Sequence, residues 1–143
     1  FITILFFMPF YSFIYSYSNT LTQHQQYEYY LADNIYENLE NIGYNAKHDY
    51  LSIIGYAKDT PSVYNAEKNH LIFNQLLRKT LDSDNYFSLF IIHRRQETFN
   101  KKNSFRFQNK NIKEKCVQYK NIIHKNMYNI YYEKEQFCII FNK

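Results

Sequence analysis

Few stretches of this chain have residue types that could do chemistry. Asp82-Ser83-Asp84 matches the D-x-D with which many nucleotide-sugar transferases hold a divalent metal, and carboxylates suit a hard cation. The same residues, followed by Asn85, are also ordinary turn and N-cap chemistry, and so short a match assigns no metal. From Arg94 to Lys125 the basic residues Arg94, Arg95, Lys101, Lys102, Arg106, Lys110, Lys113, Lys115, Lys120 and Lys125 outnumber Glu97 and Glu114. Phe99, Phe105 and Phe107 are interleaved with them, as rings and cations are where single-stranded nucleic acid is stacked and its phosphates paired. A solvated basic face is the simpler reading, followed by contact with anionic headgroups or a lipid phosphate. No nucleic-acid partner is assigned.

Cys116 and Cys138 form no C-x-x-C. They could pair in an oxidising compartment, but two buried free thiols are the expectation. His24, His48, His70, His93 and His124 show neither H-x-x-x-H spacing nor clustering with cysteine, so no zinc site assembles. There is no G-x-S-x-G and no Gly-rich phosphate loop. Glu28, Asp33, Glu37 and Glu40 read as the wet side of a helix. The chain therefore has no assigned catalytic, cofactor-binding or metal-binding residue.

The elements that would position any site begin with FITILFFMPFYSFIYSY, Phe1 to Tyr17, which holds no charge. It is slightly short of the roughly 20 apolar residues of a membrane span. Pro9 is tolerated in such helices, and Tyr11, Tyr15 and Tyr17 suit the headgroup boundary. A secretory signal would need a basic start and a small-x-small cleavage site, neither of which is present. A buried core helix is the bland alternative, disfavoured by the lack of a polar face. The start at Phe1 leads us to expect missing upstream sequence that completes the span.

Asn19, Thr20 and Thr22 offer capping oxygens for a following helix. Tyr27, Leu31, Ile35, Leu39 and Ile42 then recur at three and four, and Gly43 suits a left-handed C-cap. Tyr50 to Gly55 reads as a short central strand. Thr60-Pro61 predicts a helix start through Val63 and Ala66, continuing or restarting through Leu71, Ile72, Leu76 and Leu77. Tyr86 to His93 is apolar without a decisive period, so helix and strand stay open. Ile112 to Lys125 reads as a weaker helix with Val117, Ile122 and Ile123. Ile130 to Tyr132 and Phe137 to Phe141 read as a hairpin turning at Glu133 to Gln136.

Composition sets the bounds. A chain of 143 residues holds one domain with a real core, and 45% hydrophobic residues exclude disorder for most of it. Two Gly and two Pro argue against an all-β fold of many tight turns, and a net charge of +4 is mild. The 16 Tyr and 13 Phe, with no Trp, can follow from AT-rich coding and carry no special chemistry.

The order of the elements resembles the C-terminal part of the bacterial Gtr-type O-antigen glucosyltransferases. The resemblance rests on Asn19, Gln26, Ala32, Ile35, Leu39, Ile54, Gly55, Pro61, Val63 and Ala66, and on the closing Met127-Tyr128 and Phe137 to Phe141. The family's Ser-Pro order is inverted to Pro61-Ser62, His70 stands where a second Pro is expected, and Arg94 to Lys125 does not match. The resemblance implies a helix for Tyr86 to His93. It also implies a multi-pass enzyme of the bacterial inner membrane that moves glucose from a polyprenyl-phosphate carrier to a lipid-linked polysaccharide. Its acidic catalytic residues lie upstream of this chain, and a carrier-lipid donor has no diphosphate for Asp82-Ser83-Asp84 to hold through a metal.

The expected class is thus α/β. Residues 1–19 form a transmembrane helix, and residues 20–143 form a small mixed α/β soluble domain with a short sheet in the periplasm, serving acceptor recognition or support. The alternative is a non-enzymatic, membrane-anchored binding module.

Overall fold

The computed structural model describes residues 2–69, 72–77, 80–82, 86–93 and 112–142. The elements are α1 (Ile2–Asn41), β1 (Tyr50–Ile54), α2 (Pro61–Asn69), α3 (Phe73–Leu76), α4 (Tyr86–Ile92), α5 (Ile112–Val117), β2 (Asn121–His124), β3 (Tyr128–Glu133) and β4 (Gln136–Phe141). Among the described residues the strands form a four-stranded sheet of order β1-β4-β3-β2. β1 runs parallel to β4, and the other neighbours are antiparallel, so the fold is mixed α/β. The chain divides into two compact units, Phe1–Tyr27 with Asp59–Arg78, and Glu28–Lys58 with Lys79–Lys143.

In the first unit, Phe13, Tyr17 and Leu21 recur at intervals of four along α1 and pack on Val63, Phe73 and Leu77, with Ala66 beside them. Phe73 meets the rings of Phe13 and Tyr17 at 5.4 and 5.5 Å between centroids. The expected start at Thr60-Pro61 holds, since the Val63 N–H donates to Thr60 Oγ1 at 3.3 Å and Pro61 opens α2. The helix restarts as α3, where Phe73 takes the core position while Ile72 and Leu76 are exposed.

One expectation here is corrected. Asn19, Thr20 and Thr22 cap nothing, because α1 is continuous for 40 residues, through Pro9 and through these positions. Thr22 instead turns its hydroxyl back to the Ser18 carbonyl at 2.9 Å, which satisfies it within the helix. Phe7, Met8, Phe10, Tyr11, Ile14 and Tyr15 are exposed. Among the described residues, no helix is long and apolar enough to cross a membrane.

In the second unit, α1 ends as its sequence requires. The Gly43 N–H donates to the Glu40 carbonyl and the Tyr44 N–H to that of Leu39, both at 3.0 Å, with Gly43 at φ +85°. This paired closure carries Tyr44 into the core, where its ring meets Phe137 edge-on at 5.0 Å.

Strand register then sorts the side chains. Leu51 and Ile53 of β1 lie opposite Phe137 and Ile139 of β4, and Ile139 lies opposite Ile130 of β3. All of these are buried, as are Leu31, Ala32, Ile35 and Leu39 on α1. Asn38 of α1 donates to the Tyr128 hydroxyl on β3 at 2.9 Å, which ties helix to sheet.

Several further expectations are corrected. β1 is an edge strand, not a central one; its apolar run is alternately buried and half-buried because only one face is covered. The single helix expected over Ile112 to Lys125 stops at Val117 and gives way to β2, where Ile123 pairs with Ile130. Pairing of β-branched residues in the sheet overrides a weak helical period. Tyr86 to Ile92 is helical, the state the resemblance implied.

Cys116 and Cys138 are joined in a disulfide rather than left as free thiols. Cys138 alternates to the sheet face opposite Phe137 and Ile139, and α5 places Cys116 within 5.9 Å of it between Cα atoms. That separation lies inside the range a bridge needs, and sequence spacing does not reveal it.

Glu28 is the largest departure. It is 2% exposed rather than wet, and its Oε1 accepts the backbone N–H groups of Thr80 at 2.7 Å and Leu81 at 3.0 Å. Asp33, Glu37 and Glu40 are exposed as expected. Glu28→Ala leaves two amides without this acceptor and should destabilise the fold by about 2–4 kcal/mol. Glu37→Ala on the same helix should change stability by less than about 0.5 kcal/mol. Urea unfolding of the full chain measures both, and equal effects would contradict the role given to Glu28.

Candidate functional site

The residues singled out by sequence do not gather into one site. Asp82 is half-buried and bridges antiparallel to Tyr56, while Ser83 and Asp84 lie outside the described residues. Arg94 to Lys110, with Phe99, Phe105 and Phe107, lies outside them too, as does His70. Lys113, Lys115, Lys120 and Lys125 are exposed. Among the described residues, no group of three or more His, Cys, Asp or Glu could hold a metal ion.

Among the described residues, two buried polar arrangements and a cleft of the second unit stand out. The first arrangement fixes Thr80 to Asp82. Glu28 accepts two of its amides, the Asp82 N–H donates to Ser88 Oγ at 2.8 Å, and the Ala57 N–H donates to the Leu81 carbonyl at 2.9 Å. The Ser88 hydroxyl lies 2.5 Å from the Thr80 carbonyl and 2.7 Å from that of Asp82, and its one proton serves either. Ser88 is fully buried, so this node fixes backbone and meets no solvent-borne substrate.

The second arrangement pairs Tyr44 with His93 at the end of α4. His93 Nδ1 lies 2.6 Å from the Leu89 carbonyl, which can only accept, so Nδ1 carries the proton. Nε2 then accepts from the Tyr44 hydroxyl at 2.7 Å. Burial holds His93 below its ordinary 6.5, partly opposed by the Leu89 hydrogen bond. Burial first, then the charge of Asp49 and the nearby Tyr36, pushes the Tyr44 hydroxyl well above its ordinary value. Both groups are therefore neutral at pH 7, and the pair positions α1 against α4.

The cleft lies where the β3–β4 turn meets the start of β1. It is open to solvent, has a volume of about 400 Å³ and is lined by Tyr50, Tyr119, Glu133, Lys134, Glu135 and Gln136. Its walls follow from backbone pairing. Glu133 lies opposite Gln136, leaving Lys134 and Glu135 as a two-residue turn, with Lys134 held in the left-handed region at φ 55°. The Tyr50 N–H donates to the Glu135 carbonyl at 2.8 Å, which closes one side. Tyr119 donates its hydroxyl to Gln136 Oε1 at 2.7 Å, which closes the other. Partial burial, then the Glu133 carboxylate, raises the Tyr119 hydroxyl above its ordinary 10.0, which keeps it a donor.

Sequence reasoning took Glu133 to Gln136 as a turn alone. Nothing in the spacing joins Tyr50 or Tyr119 to it; the parallel β1–β4 pairing brings Tyr50, and the segment after α5 brings Tyr119. Glu28, by contrast, was legible. Its spacing from Leu31, Ala32, Ile35 and Leu39 places it on their buried stripe, where position outweighs residue type.

No protein-family model, curated protein or solved structure matches this chain.

The buried histidine sets a pH dependence. The folded ring resists protonation that the unfolded chain accepts near 6.5, so its contribution is complete above that pH and is lost as pH falls below it. Chemical denaturation across pH 5 to 8 should show stability falling on the acid side. His93→Gln should flatten that limb; an unchanged acid limb in the variant would contradict a neutral buried His93.

Proposed function

We propose that this chain is the C-terminal part of a Gtr-type glucosyltransferase. Such an enzyme sits in the bacterial inner membrane and moves glucose from a polyprenyl-phosphate carrier to O-antigen. Phe1 to Tyr17 ends its last membrane crossing, and the second unit stands in the periplasm, where it recognises or supports the acceptor. The bond-making residues belong to the upstream part of the enzyme.

The observation that carries the membrane reading is the uncharged start of α1. Phe7, Met8, Phe10, Tyr11, Ile14 and Tyr15 are exposed there, and Tyr64, Ile72 and Leu76 of the same unit are exposed as well. So much unpartnered apolar surface marks a place where a lipid or protein partner is expected. Tyrosines within it fit a headgroup boundary. The Cys116–Cys138 disulfide supports an oxidising compartment for the second unit. The order of motifs supports the transferase family. A second reading, a membrane-anchored binding module without enzymatic activity, is favoured by the cleft beside the β3–β4 turn.

Flotation of the full chain with phosphatidylethanolamine–phosphatidylglycerol vesicles tests the membrane reading. The chain should float with the vesicles and withstand carbonate extraction. The double substitution Phe10→Asp with Ile14→Asp should release it while the circular dichroism stays unchanged, because both side chains are exposed. The chain alone should turn over no polyprenyl-phosphate glucose. Failure to float, or retention of the charged variant, would overturn the membrane reading; turnover by the chain alone would overturn the division of labour.

A further inference from the structure

We propose that the cleft beside the β3–β4 turn is a binding site for an uncharged pyranose. The inference deepens the reading above and rests on it only for the source of the sugar, an acceptor glycan; the chemistry comes from the lining itself.

A sugar ring has apolar C–H faces and an equator of hydroxyl groups. A site for it needs aromatic surface beside side chains that accept and donate hydrogen bonds. Tyr50 and Tyr119 supply aromatic surface with a polar tip. Glu133 and Glu135 supply acceptors able to take paired hydroxyl groups, and Lys134 and Gln136 bring donors. A volume of about 400 Å³ falls within the range of small-molecule sites and accommodates a mono- or disaccharide.

Two contacts bring the lining together: the Tyr119 hydroxyl donates to Gln136 at the surface, and the Tyr50 backbone N–H donates to the Glu135 carbonyl.

Charge selects among the candidates. The lining carries two carboxylates and one ammonium, so it is net negative and disfavours a phosphate, a nucleotide or an acidic sugar. A hard cation is the competing occupant. It requires six or more oxygen ligands for calcium, and the Lys134 ammonium stands between the two glutamates in sequence.

The test is amide chemical-shift mapping on the full chain, titrated separately with methyl glucoside, glucosamine, glucuronate and calcium chloride. Methyl glucoside and glucosamine should shift the amides of Tyr50, Tyr119 and Glu133 to Gln136, and glucuronate should bind more weakly. Tyr119→Ala should weaken the neutral sugar about tenfold, the loss of one stacking surface. Tyr119→Phe should restore most of the affinity, and Tyr56→Ala, an exposed tyrosine outside the cleft, should leave it unchanged.

No saturable shift with methyl glucoside in the millimolar range, or a shift with glucosamine alone, would overturn the proposal. So would affinity indifferent to Tyr119→Ala, or calcium shifting these amides while the sugars do not. A chain that floats with vesicles but ignores sugars loses only this site. One that binds sugar but does not float keeps the site and loses the membrane reading.

Discussion

The register of β4 is the constraint on which the second unit depends. The strand is paired on both sides, parallel to β1 and antiparallel to β3. Its side chains alternate, so Phe137, Ile139 and Phe141 line one face while Cys138, equally buried, lies on the other. A slip of one residue would exchange those faces, taking Cys138 away from Cys116 and Phe137 away from Tyr44 and Tyr132. The Cys116–Cys138 bridge therefore does two things. It removes entropy from the unfolded chain, worth about 3 kcal/mol for a loop of this size, and it permits only one register. The stacked pair Tyr132 and Phe137, at 5.9 Å and 4° between planes, depends on the same alignment.

Local features of the fold were legible because their causes are local. The stripe Leu31, Ile35, Leu39, the Gly43 closure, the Thr60-Pro61 start and the β3–β4 hairpin each follow from a few neighbouring residues. The edge position of β1, the change from α5 to β2 and the disulfide depend on partners far along the chain, which periodicity does not encode. Glu28 belongs to a third kind. Phe13, Tyr17, His24, Glu28, Ala32, Ile35 and Leu39 follow one helical spacing, and all are buried or half-buried. A polar residue on such a stripe is placed by geometry first, and the chain then supplies its partners; for Glu28 these are the amides of Thr80 and Leu81.

The cleft was illegible for the same reason as the sheet order. A turn of Glu, Lys, Glu and Gln reads as solvated surface until β1 brings Tyr50 beside it and the segment after α5 brings Tyr119. Tyr44 and His93 differ from this site in kind. They are buried, bonded to each other and, through His93, to the Leu89 carbonyl, and their altered proton affinities follow first from burial. Perturbed titration marks a packing device in that case, and the open polar cleft is the better place to seek a ligand.

The central claim is that the start of α1 meets lipid while the sheet works in water. The chain contains no tryptophan, so a single Trp substitution gives an unambiguous fluorescence probe. Phe10→Trp and Tyr56→Trp both replace exposed rings, one at the start of α1 and one just after β1. In vesicles containing lipids brominated along their acyl chains, emission from position 10 should be strongly quenched and emission from position 56 should not. Equal emission from both sites, or quenching at position 56 alone, would contradict the account.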